Sequence, residues 1–236
     1  MNTWREDQLQ ALLDTRSDEE FFSRMARAAK ELGFDFCSYG MRLPLPIAAP
    51  QVLMLNNYSS DWQQRYAQED YLSRDPTVAH GARSVMPLVW SEDLFKQDRS
   101  FWEDARGHGL HVGWSQSCHD GRGVAGLLTL ARSHEPLSEQ ELHHNAYRMS
   151  WLGQAAHEVL SGRLMQRLAP QAAIQLTRRE AEILRWTADG ATSAQVSDKL
   201  HITERTVNFH INNVLTKLDA RNKTAGVIKA LRLGLI

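Results

Sequence analysis

The chain has 236 residues, 42% hydrophobic and 23% charged, an ordinary globular composition with length for one large or two modest domains. Its two cysteines, Cys37 and Cys118, exclude a disulfide-stapled scaffold and read as buried free thiols of a reducing cytoplasm. No charged start leads into an apolar secretory segment, and the longest nearly apolar run, residues 124–131, is too short to span a bilayer. A cytoplasmic protein with no membrane partner is expected. The net charge of −1 hides an asymmetry: from residue 176 onward 10 Lys/Arg face 6 Asp/Glu, a net +4, which leaves −5 on the rest. A basic end on an acidic body suits a tail that meets phosphates and a body that does not.

In chain order, Ser17 and Glu20 have capping-box spacing ahead of Phe21, Met25, Ala29 and Leu32, and Gly33 stops the helix. Residues 34–42 alternate as a strand, with Phe36, Ser38, Gly40 and Arg42 on one face. LeuProLeuProIle at 43–47 makes a loop, and 51–56 a second strand. Residues 59–69 read as a helix, Pro76 opens a short one, and 99–107 another. Strands at 111–118 and 123–132 are joined by the AspGlyArgGly turn at 120–123. Ser138 with Glu141 starts a long helix to about residue 160, burying Leu142, Met149, Leu152 and Val159. The expected fold is α+β: an N-terminal α/β/α sandwich around an antiparallel sheet over residues 1–162, a linker at 163–175 containing Pro170, then an all-α four-helix unit at 176–236.

In that last unit Thr177 stands three before Glu180 and Thr192 three before Gln195, two capping boxes, and Thr203 precedes a third helix. Val207, Ile211, Val214 and Leu218 lay one apolar stripe along the third helix, in a helix-turn-helix rhythm. The opposite face collects Arg205, Asn208, Phe209, Asn212 and Thr216. A Phe between two Asn on the outer face has little use on an ordinary surface helix. In a DNA major groove, Asn pairs with adenine and an apolar ring meets a thymine methyl. Lys217 and Arg205 are placed on phosphates, with Thr192 and Thr206 as further DNA contacts.

In the first domain Tyr58, Trp62 and Tyr66 recur at i, i+4 and i+8 on one helix side, with Asp75 in the loop before Pro76. Trp90, Phe101, Trp102, Leu110 and Trp114 add bulk. Such a stripe reads equally as core filler or as a pocket for an amphiphile, whose polar end meets indole, phenol and carboxylate while its tail fills the rest. The residues alone leave both readings open.

The C-terminal stretch resembles the LuxR-type DNA-binding domain at Glu180, Trp186, Gly190, Thr206–Val207, His210, Asn213, Lys217–Leu218 and Asn222–Lys223–Thr224. It departs at Ala191, where the family often has Lys, and at Gln195, where Glu is common. The first domain resembles the acyl-homoserine-lactone-binding domain of the same regulators at Tyr58, Trp62, Tyr66, Asp75–Pro76, Trp90, Gly109–Leu110, Gly113 and the run at 126–130. The ProLeuPro loop and SerTyrGly strand are most similar to the broad-specificity solo receptors. The resemblance implies a quorum-sensing transcription factor, active as a homodimer on a two-fold operator. RNA polymerase is a partner if it activates, and an N-acyl-homoserine lactone is the ligand, with no cofactor. It implies that Trp62 donates to the lactone carbonyl and Asp75 accepts from the amide N–H. Tyr58 and Thr129 would donate to the acyl carbonyl, Ser38 and Arg42 would tune the pocket, and Val78, Leu110 and Trp90 would wall it.

No enzyme reading stands. Cys118, His119 and Asp120 are consecutive on a strand end and point apart, and His143 beside His144 on a helix is a poor arrangement for one metal. Two other functions share the same helix-turn-helix. A response regulator needs a parallel sheet with an acidic pair after its first strand, which is missing here. A ligand-independent co-regulator needs only that the aromatic face be core.

Overall fold

The computed structural model describes residues 11–43, 50–121, 123–172 and 174–236. Most of the proline-rich loop and Arg122 of the 120–123 turn lie outside them. The chain divides near residue 163 into two compact units.

The first unit is built on a five-stranded antiparallel sheet of order β2-β1-β5-β4-β3, from β1 (Phe36–Arg42), β2 (Val52–Asn56), β3 (Leu88–Val89), β4 (Val112–His119) and β5 (Ala125–Arg132). The two long hydrogen-bonded ladders put Ser38 opposite Thr129 and Thr129 opposite Ser115. Period-two alternation then gives each face its own set of side chains.

One face carries Cys37, Tyr39, Trp114, Cys118, Leu128 and Leu130. It is covered by α6 (Glu139–Ala172), whose Gly153 lies close enough to the sheet that a Cβ there would rest 3.5 Å from Cys118 Sγ. Tyr39 and His157 of α6 hydrogen-bond at 2.7 Å over Gly126, where a methyl group would overlap both. Helix α1 (Asp18–Glu31) packs beside α6, with Arg163 donating to the Ser17 carbonyl at 2.7 Å. Phe21 and Met25 of α1 are fully buried, each contributing about 2–3 kcal/mol of transfer free energy.

The other face carries Phe36, Ser38, Gly40, Thr129, Leu127, Gly113 and Ser115. Over this side run α2 (Ser60–Gln68), α3 (Tyr71–Arg74), α4 (Pro76–Gly81) and α5 (Arg99–Gly107). Gly81 of α4 rests against Leu127 and Ser117.

Three local details depart from the sequence reading. Glu20 does not close a capping box on Ser17 but accepts from the Arg16 N–H at 2.9 Å. Ser138 caps α6 as expected, while Glu141 turns both oxygens to Arg132, at 2.6 and 2.9 Å. The expected linker is helical as far as Ala172. Glycine in a helix costs only about 1 kcal/mol relative to alanine, too little for Gly162 to stop a helix whose Leu160 and Ser161 are buried.

The second unit holds α7 (Arg178–Ala188), α8 (Ser193–Leu200), α9 (Glu204–Lys217) and α10 (Lys223–Arg232). Both capping boxes are formed, Thr177 with Glu180 and Thr192 with Gln195. Val207 and Ile211 pack with Ile183 and Val196, and Val214 and Leu218 with Leu184 and Ala230, so the α9 stripe joins two small cores. The α8–α9 turn puts His201 in the left-handed region at φ 51°.

Candidate functional site

Two surfaces carry chemistry: the aromatic cluster over one sheet face of the first unit, and the outer face of α9.

Ser59 caps α2 and fixes Trp62 in its first turn, while Tyr58 enters from the preceding residue. Trp62, 3% exposed, stacks on Tyr71 at 5.8 Å and Phe101 at 6.0 Å and meets Tyr66 edge-on at 5.7 Å. Leu110, Phe95, Ala105 and Ala131 complete the buried cluster, with Tyr58, Trp90, Trp102 and Phe36 among those packed against it. Phe95 and Trp102 lie face to face, 4.3 Å apart at 3°. Among the described residues, the buried indole N–H of Trp102 has no hydrogen-bond partner.

Asp75 is the N-cap of α4. Its Oδ1 accepts from the Thr77 N–H at 2.8 Å and hydroxyl at 2.7 Å, and its Oδ2 from Tyr66 at 3.1 Å. Burial pushes its carboxyl above the usual range despite those donors. Burial likewise raises the Tyr58 and Tyr66 phenols, which therefore stay protonated donors. Across the sheet floor, Trp90 Nε1 donates to Ser115 Oγ at 3.0 Å, and Ser115 shares a 3.1 Å bond with Thr129 Oγ1. Ser38 lies opposite Thr129 on the same sheet face, and its hydroxyl offsets part of the burial that raises the Tyr58 phenol. A row of small hydroxyls thus lies under an aromatic roof. An aromatic cluster edged by hydroxyls and a carboxylate has the chemistry that suits a hydrogen-bonding head on an apolar tail.

The raised Asp75 has a pH consequence. Stability linked to a group with a raised folded pKa is complete below the ordinary carboxylate range and is lost as the pH climbs through the raised value. Melts of the unliganded protein should fall over that interval, and Asp75→Asn should flatten the fall. A parallel pH profile in the variant would refute this.

Of the expected pocket residues, Tyr58, Trp62, Tyr66, Trp90, Phe101 and Leu110 come together in one cluster, Asp75 joins through Tyr66, and Ser38 and Thr129 through the sheet floor. Val78 is half-buried on α4. Arg42 shares the Ser38 face but stands four residues further along β1, roughly 13 Å away, and is exposed. Trp114 requires correction. It pairs with Leu130, so it points to the α6 face, away from the face that carries Ser115 and Thr129. Sequence reasoning missed Phe95, Tyr71, Thr77 and Ser115. Ser115 was detectable, since it shares strand parity with Gly113.

On α9, Phe209 is 60% exposed and Arg205 and Asn212 are exposed, while Asn208 and Thr206 are half-buried. Thr206 bonds the cap hydroxyl of Thr203 at 2.9 Å, and Thr192 caps α8. Asn208 Oδ1 accepts from Ser193 at 2.8 Å. Lys217, expected on phosphate, has internal partners in this structure. Its Nζ sits 2.6 Å from Oε2 of Glu180, itself 3% exposed, and 3.2 Å from the Gln175 carbonyl. Burial alone would raise the Glu180 carboxyl, but Lys217 and Thr177 hold it below the usual range. Among the described residues no His, Cys, Asp and Glu group has the makings of a metal site, and no helix is long and apolar enough to cross a membrane.

An aromatic cluster with hydrogen-bonding groups at its edge, in one chain with a capped helix-turn-helix, is the make-up of a ligand-responsive DNA-binding regulator. Family comparison agrees on both halves: residues 17–160 match the autoinducer binding domain, and residues 174–230 the bacterial regulatory proteins of the luxR family. The transcriptional activator protein AnoR of Acinetobacter nosocomialis is 45% identical over 238 residues, all of both chains. A structure of SdiA in complex with octanoyl-rac-glycerol superposes with a TM-score of 0.81 at 32% identity, over 99% of this chain and 95% of that one. The N-acylhomoserine-lactone-dependent factor CepR2 of Burkholderia cenocepacia gives 0.63 at 35% identity, over 67% of this chain and 94% of its own. The chain belongs to the LuxR family of autoinducer-binding transcriptional regulators, and it is not an enzyme.

Proposed function

We propose that the first unit binds an N-acyl-homoserine lactone and that the chain, as a homodimer, then binds a two-fold operator through α9. RNA polymerase is the further partner where the outcome is activation. The observation that carries the ligand reading is the Asp75 carboxylate, held by the Thr77 and Tyr66 donors at the edge of the aromatic cluster that contains Trp62. In this reading Asp75 accepts from the ligand amide, Trp62 donates to the lactone carbonyl, and Tyr58 and Thr129 donate to the acyl carbonyl. The tail runs along β1 over Gly40, where a Cβ would meet nothing within 4 Å. SdiA holds an acyl glycerol and CepR2 depends on an acyl lactone, both polar heads on apolar chains.

Thermal melts with lactones of graded acyl length test the reading. A matching lactone should stabilise by about 2.7 kcal/mol at a hundredfold excess over Kd, and its ring-opened acid hardly at all. An unchanged melt across the series would leave the aromatic face as mere core. Within the series, Asp75→Asn should reduce the ligand shift more than Trp62→Phe. The carboxylate makes a charge-assisted bond about twice as strong as a neutral one, whereas Phe keeps most of the apolar wall. The reverse ranking would overturn the assignment. For the second half, sedimentation with and without operator DNA should show two chains per duplex, and a single bound chain would count against the dimer.

A further inference from the structure

The carboxamide of Asn208 is held in one orientation by a directed chain of hydrogen bonds. Lys223 Nζ donates to Ser193 Oγ at 2.9 Å, and Ser193 Oγ donates to Asn208 Oδ1 at 2.8 Å. An ammonium has only donors, so Ser193 must accept from it. The atom of Asn208 that stands 2.8 Å from Ser193 Oγ is its carbonyl oxygen, which can only accept, so the one hydroxyl proton goes there. With one lone pair of Ser193 taken by the ammonium, the two bonds run in the same sense and leave the –NH2 end of the carboxamide outward. The three residues come from three helices: Ser193 opens α8, Lys223 opens α10, and Asn208 lies in the second turn of α9. The side chain of Asn212, one turn on, has no hydrogen bond among the described residues; Thr216 Oγ1 donates to its backbone carbonyl at 3.0 Å.

We propose that Lys223 and Ser193 are positioning residues for base reading. They lock Asn208 with its –NH2 outward, so that it selects base edges bearing an acceptor (purine N7, guanine O6 or thymine O4) and rejects the amino group of cytosine. This rests on the proposed reading of DNA by α9. Asn208 is thereby a pre-set reader, while Asn212 can turn its amide either way.

The test is selection from a randomised duplex library by the full-length, lactone-loaded chain, followed by titrations on single-base substitutions of the enriched sequence. The parent should reject cytosine at one position in each half-site, and Asn208→Ala should abolish that rejection. Ser193→Ala and Lys223→Met should each weaken it at the same position by about 5-fold or more, the lower end of what one good base contact contributes. Ser193→Thr, which keeps the hydroxyl, should retain it, and Ser193→Ala should add nothing in an Asn208→Ala background. Full discrimination in Ser193→Ala and Lys223→Met, beside its loss in Asn208→Ala, would overturn the positioning role. So would a uniform weakening on every duplex with base preference unchanged. If Asn208→Ala itself left base preference intact, or the parent enriched no sequence, base reading by α9 would fail, which is a different result from failure of the relay alone.

Discussion

Replacing Lys217 with Met should cost the C-terminal unit about 2–3 kcal/mol and leave base preference unchanged. Removing one partner of a buried ion pair costs about 3–5 kcal/mol because the other charge is stranded. Lys217 is itself more than a third exposed, so water offsets part of that loss. What remains around Glu180 is its capping box: the Thr177 N–H at 2.7 Å donates to its carboxylate, while its own N–H donates to Thr177 Oγ1. Hydrogen exchange across α7 and α9 should accelerate in the variant, and Glu180→Gln combined with Lys217→Met should restore much of the protection. The pH sense follows from the depressed Glu180 carboxyl. Its contribution is present above the ordinary carboxylate range and is lost as the pH falls through the folded value. Normal exchange together with weaker DNA binding would instead return Lys217 to the phosphate role its place in the sequence implied.

Gly113→Ala should abolish the ligand-induced melt shift. Trp90 hydrogen-bonds the Gly113 carbonyl through its backbone at 2.8 Å, and its indole lies over the glycine so closely that a Cβ would overlap the ring. A methyl group there lifts Trp90 off the sheet, breaks its bond to Ser115 and disturbs its edge contacts with Phe95 and Trp102. Overpacking of this kind costs about 1–3 kcal/mol in stability, so the unliganded melt should fall as well. Trp114→Phe is the companion experiment. It sits one residue away but on the α6 face, and should lower the unliganded melt while keeping the ligand shift. A normal ligand response in Gly113→Ala, or its loss in Trp114→Phe, would show the two faces to be wrongly assigned.

What could be read from the sequence was local. The stripe from Val207 to Leu218 repeats at helical spacing, and the caps at Thr177 and Thr192 are three residues from their partners, so neither needs knowledge of the fold. The Tyr58–Trp62–Tyr66 stripe follows the same logic. What escaped depends on pairing between distant segments. Trp114 is near Trp90 and Leu110 in sequence, but its register against Leu130 decides its face, and register is set by strands far apart in the chain. Lys217 finds Glu180 from 37 residues away, where composition alone sees only a cation near DNA-facing neighbours. Asp75 was visible as a carboxylate before a proline, but not the Thr77 and Tyr66 donors that orient it.

The cations of the C-terminal unit are not all available to displace ions from a nucleic acid. Lys217 is held by Glu180 and Gln175, Lys229 by the carbonyls of Leu218 and Asp219 at the end of α9, and Arg179 by Glu182 and the Leu200 carbonyl. Each condensed counterion released from duplex DNA adds about 0.9 to the slope of log affinity against log salt. With these three and Lys223, bonded to Ser193, four of its ten Lys/Arg work as internal fasteners, and this domain should bind with a shallower ionic-strength dependence than its composition implies. It would then keep more of its affinity as salt rises, and depend more on the shape and base edges of the site it occupies.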